Sequence, residues 1–78
     1  METKRAMVIR LLKEEKYKEA MKIAKGFKIE LNKEERDIVT RGYESYTNPR
    51  FYKSLGQNIE ENIRKAIEVL LKIYKGEL

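Results

Sequence analysis

The sequence predicts an all-α protein, a compact bundle of four main helices plus one short helix near residues 49–55. Three observations carry this. Apolar residues recur at three- and four-residue spacing through most of the chain. Helix-start signals at Thr3, Asn32, Asn48-Pro49 and Asn58 each precede such a run. Only "FKIELN", residues 27–32, alternates as a strand does, through Phe27, Ile29 and Leu31, and one such stretch cannot build a sheet alone.

Thr3 is placed to cap a first helix reaching about Glu15, along which Met7, Val8, Leu11 and Leu12 fall at helical spacing. A second helix brings Tyr17, Ala20, Met21, Ala24 and Phe27 onto one face, with Gly26 as its expected left-handed stop. Asn32 and Glu35 have capping-box spacing and open a third, whose apolar side is Ile38, Val39, Gly42, Tyr43 and Tyr46. Asn58 and Glu61 repeat that spacing before the last helix. This one is expected to run to about Lys75 and to measure about 27 Å at the usual rise per residue.

Between the third and last helices lies "NPRFYKSLG". Asn48 reads as a cap, Pro49 as a first helical residue whose missing N–H costs nothing, and Gly56 as a stop. Under two turns of helix are not stable by propensity, so Phe51 and Leu55, four apart, are expected to dock on the larger helices as an apolar plug with Tyr52 beside them. The competing reading gives Arg50 and Lys53 the task of receiving a phosphate or carboxylate.

Composition excludes several chemistries. Among 78 residues, read as one domain spanning 1–78, there is no Cys and no His. That removes disulfide staples, thiolate nucleophiles, the usual zinc sites and an imidazole base. No Ser sits in a strand-to-helix elbow, and the glycines are scattered singly rather than gathered in a phosphate-cradling loop. The acidic group Glu30, Glu34, Glu35 and Asp37 supplies too few free oxygens for calcium once Glu35 caps and Asp37 pairs with Arg41. The expectation is a non-enzyme with no catalytic, cofactor or metal residues. No apolar run approaches the roughly 18 residues of a membrane span, so a cytoplasmic protein is expected. A 40% charged content with a single Gln resembles the composition of hyperthermophile proteins.

Two kinds of partner remain. On the last helix Ile59, Ile63, Ala66, Ile67, Val69, Leu70, Leu71, Ile73 and Tyr74 cover an arc of roughly 200°, about twice what one core needs. A domain this small buries only somewhat over ~60% of its unfolded surface. Ile63, Val69, Leu71 and Ile73 are therefore the expected interface with a second copy, as a homodimer or higher, or with another protein. Asn62 at the edge of the arc is either peripheral or a register-setting contact. The alternative is a nucleic-acid-binding accessory protein. The net charge is +5, and residues 1–30 hold nine Lys or Arg against five Glu. Lys18, Lys22, Lys25 and Lys28 form a basic stripe to which Arg50 and Lys53 would add. Elsewhere the pairs Glu60 with Arg64, Glu61 with Lys65, Glu68 with Lys72 and Asp37 with Arg41 are spaced to neutralise locally. A helix-turn-helix reader is disfavoured, because the third helix would meet DNA phosphates with Glu34, Glu35 and Asp37.

"LLKEEKYKEAMKIAKGF", residues 11–27, resembles the middle of a tetratricopeptide-type helical hairpin, with Leu12, Tyr17 and Ala20 at the matching positions. It departs where Glu15 stands in place of the turn glycine, and no second copy follows at the repeat period of about 34 residues. The resemblance implies an antiparallel helix pair and a protein-binding role.

Overall fold

Residues 2–78 are described by a computed structural model. α1 (Lys4–Lys13) starts as expected, with Thr3 Oγ1 accepting from the Ala6 N–H at 3.1 Å, and it buries Val8, Leu11 and Leu12. It stops two residues before Glu15. The Glu15 N–H donates to the Leu12 carbonyl at 3.1 Å and the Lys16 N–H to the Leu11 carbonyl at 2.8 Å. These are the paired bonds of a Schellman cap, which places Glu15 in the left-handed position at φ 60°.

α2 (Tyr17–Ala24) buries Ala20, Met21 and Ala24. Gly26 does not take the expected left-handed conformation; Gly56 alone among the described glycines has a positive φ. The "FKIELN" stretch is not extended either. It coils through turns, with the Leu31 N–H donating to the Phe27 carbonyl at 3.1 Å. A turn places residues four apart on one side, so Phe27 and Leu31 face inward while Ile29 stands 91% exposed. The alternation is real, but a coil produces it.

α3 (Lys33–Thr47) opens with the full capping box: Asn32 Oδ1 accepts from the Glu35 N–H at 2.8 Å and the Glu35 carboxylate from the Asn32 N–H at 3.0 Å. α4 (Pro49–Ser54) has Pro49 in its first turn, yet the Asn48 side chain makes no cap bond. Its end is a second Schellman cap, with Gly56 at φ 77° and the Gln57 N–H on the Tyr52 carbonyl at 3.0 Å. α5 (Ile59–Ile73) has only half a capping box. Asn58 Oδ1 accepts from the Glu61 N–H at 3.1 Å, but Arg64 engages the Glu61 carboxylate. Its 15 residues span about 22 Å, less than expected, because the chain tightens into a 3₁₀ turn over Lys75–Glu77.

The four longer helices pack largely in chain order, α1 on α2, α2 on α3, and α3 on α5. The last of these is the largest interface, and Gly42 makes it close. A Cβ at Gly42 would stand 2.3 Å from Ala66 Cβ and 3.1 Å from the Asn62 carbonyl oxygen, so the helices touch through backbone and a methyl group. Beside this contact the buried Ser45 Oγ donates to the Arg41 carbonyl at 2.8 Å and accepts from Asn62 Nδ2 at 3.3 Å. Asn62 is thus a contact between helices and not a peripheral residue. The two ends of the chain also meet. Arg5 pairs with Glu30 at 2.8 Å and Glu77 at 2.9 Å, and its guanidinium lies 6.0 Å from the centre of the Tyr74 ring. The radius of gyration is 12.2 Å against about 11.5 Å expected for this length, and the long dimension is 40 Å. No helix among the described residues is long and apolar enough to cross a membrane.

Candidate interaction surfaces

A six-residue helix can turn only one side inward, and α4 turns Tyr52. The Tyr52 hydroxyl donates to Glu44 Oε1 at 2.7 Å, and burial, with this carboxylate beside it, pushes its pKa up. Phe51 and Leu55 were the expected plug, and the structure reverses that. Phe51 is 52% exposed and Leu55 57%, with the Phe51 ring edge-on to Tyr52 at 5.2 Å between centroids. The physical reason is the hydroxyl: Tyr52 brings both an apolar ring and a partnered polar tip to the α3–α4 junction, and Phe51, 100° round the helix from it, cannot face the same way, while Leu55 caps the helix end. Residue spacing showed that 51 and 55 share a face. It did not show which face turns inward.

On α5 the fully buried line is Ala66, Leu70 and Tyr74. Ile63, Val69 and Ile73 are half-buried against that core, and Leu71 is 36% exposed. Val69 and Ile73, four apart, share one flank, whereas Leu71 is displaced from Val69 by about 160° around the helix. The four residues therefore do not form one continuous exposed patch. Tyr74 is the core residue with an unmet polar group. Its hydroxyl is buried without a hydrogen-bond partner, and burial, followed by the nearby Glu30 charge, pushes its pKa to about 12.

The cations separate into two groups. Lys18, Lys22 and Lys28 are exposed and take part in no ion pair among the described residues, and the Lys25 ammonium lies 5.6 Å from the centre of the Tyr43 ring. Arg50 and Lys53 are exposed on α4, which is not among the main neighbours of α2. The expected local pairs do not form. Arg64 is held instead by Glu61 and Glu68, three residues before it and four after, which leaves Glu60, Lys65 and Lys72 solvated. Of the acidic group, Glu30 is taken by Arg5 and Glu35 by the cap.

Sequence reasoning missed an open cleft of about 610 Å³ between α1 and α2. Met7, Leu11 and Ile23 give it apolar walls, and Lys4, Arg10, Lys22 and Lys25 supply cations against one carboxylate, Glu19. Its signal was faint: Met7 and Ile23 sit at the edges of their apolar stripes, where each helix leaves a partly covered side chain. Comparison of the chain with protein families, curated proteins and solved structures returns no match.

Proposed function

We propose that the protein is a non-catalytic interaction module that self-associates through apolar surface left uncovered by its own small core. One observation carries the reading: Phe51 on α4 and Leu55, the residue that caps its end, are four apart and both more than half exposed. Aromatic residues such as Phe are enriched at the cores of protein interfaces, and the neighbouring Leu55 extends the apolar area around it. Leu71 adds a third exposed apolar side chain, but it lies twelve residues beyond Ile59, about 18 Å along α5, so α4 is the centre of the proposed surface. Sedimentation velocity across the micromolar range tests this. Wild-type protein sediments as a dimer or larger, and the double variant Phe51→Ser, Leu55→Ser as a monomer with unchanged helicity. A wild-type monomer throughout removes the reading.

A second reading, an accessory protein that contacts nucleic-acid backbones, is favoured by one observation: among the described residues, the α2 lysines Lys18 and Lys22, with Lys28 beyond them, have no carboxylate within ion-pair distance. Several phosphate contacts would make affinity for single- or double-stranded DNA and RNA fall steeply with salt. Absence of binding at low salt ends that reading.

A further inference from the structure

The α1–α2 cleft is a different surface from α4 and has its own chemistry. Lys4, Met7 and Leu11 follow one another along α1 at three- and four-residue spacing, and Glu19 and Ile23 do the same along α2, with Gly26 in the turn just beyond it. From Lys4 to Leu11 the α1 wall runs about 10 Å, two helical turns, which is room for two large apolar side chains placed three or four apart on an incoming segment. Charge selects among such segments. Four cations and one carboxylate line the cleft. Arg10 is already held by Glu2 at 3.0 Å and Glu14 at 3.2 Å, and the Lys25 ammonium rests near Tyr43. Lys4 and Lys22 form no ion pair among the described residues.

We infer that this cleft docks a short acidic amphipathic peptide segment of a protein partner, its apolar pair seated between Met7 and Ile23 and its carboxylates directed at Lys4 and Lys22. A basic segment meets like charge at the rim, and a purely apolar one leaves two lysines unpaired at the edge of a closed contact. A nucleic-acid strand would use the lysines without the apolar walls. The inference does not depend on self-association, so the two can fail separately.

A displayed library of short random peptides, selected on the intact wild-type protein, provides the test. Enrichment of carboxylate-flanked pairs of large apolar residues three or four apart is the expected result. A selected peptide should then lose about tenfold in affinity on the double variant Lys4→Glu, Lys22→Glu, the scale of two reversed surface contacts. Both lysines are exposed, and circular dichroism confirms that the variant keeps its helices. A selected peptide should also bind Phe51→Ser, Leu55→Ser protein as it binds wild type. No enrichment, enrichment of basic or uncharged sequences, binding indifferent to the charge reversal, or displacement of the peptide by a short oligonucleotide at physiological salt would each overturn the proposal.

Discussion

Glu15 shows how a single backbone angle can work against a residue's chemistry. Its φ of 60° costs a residue with a Cβ roughly 1–2 kcal/mol, and Gly56 occupies the same position in the same kind of cap without that cost. Glu15→Gly relieves the strain but frees the unfolded chain, so a net gain of about 0.5–1 kcal/mol is expected in urea denaturation. Tyr74 makes the complementary case. Its hydroxyl is buried without a partner, so Tyr74→Phe should leave stability equal or higher, by up to about 1 kcal/mol, in place of the loss that core changes usually bring. The pH dependence follows from the same group. Its folded pKa, about 12, lies above the unfolded value near 10. Its contribution is therefore complete below about pH 10 and is lost as pH rises through about 12. Thermal melts in that window should fall less steeply for Tyr74→Phe than for wild type.

At the scale of elements, the α3–α5 crossing is set by Gly42. In an exposed helix Gly→Ala gains about 1 kcal/mol, but here the added methyl meets Ala66 Cβ at 2.3 Å and a backbone oxygen at 3.1 Å. Neither neighbour can rotate away, so Gly42→Ala should destabilise by about 1–3 kcal/mol, a reversal of sign readable in a denaturation midpoint. The elements themselves were largely legible in the sequence, because Thr3, Asn32, Pro49 and Gly56 act through bonds or angles within a few residues. What was not legible depended on distant partners. That Tyr52 and not Phe51 turns inward is decided by Glu44, eight residues away. That Gly42, read on the apolar side of its helix, is the point of closest approach is decided by Ala66. Arg64 is a local exception: Glu61 and Glu68 lie within one helical turn of it, and one guanidinium serves both carboxylates at once in place of the single expected partner.

For the whole molecule, the chain ends are joined by Arg5, whose contacts with Glu30, Glu77 and the Tyr74 ring link α1 to the last turn. The hydrogen bond from Arg5 holds the Glu77 carboxyl below its ordinary pKa. That contribution is present above the usual carboxylate range, near pH 4, and disappears as pH falls through the lowered value. Arg5→Gln should consequently make the acid limb of the stability curve shallower, with only a small change at neutral pH because the pair is exposed. The same thinness of core that makes such ties useful leaves Phe51 and Leu55 in water. Their expected role inside the core followed from the rule that a short helix must dock. It does dock, through Tyr52, and that leaves the adjacent side, with Phe51 and Leu55, exposed to a partner. The most direct measurement is the concentration dependence of NMR chemical shifts from micromolar to millimolar protein. The account predicts shifts concentrated on Phe51, Leu55 and their neighbours on α4, with the α1–α2 cleft unmoved. Shifts that do not change with concentration, or that change elsewhere on the surface, would contradict it.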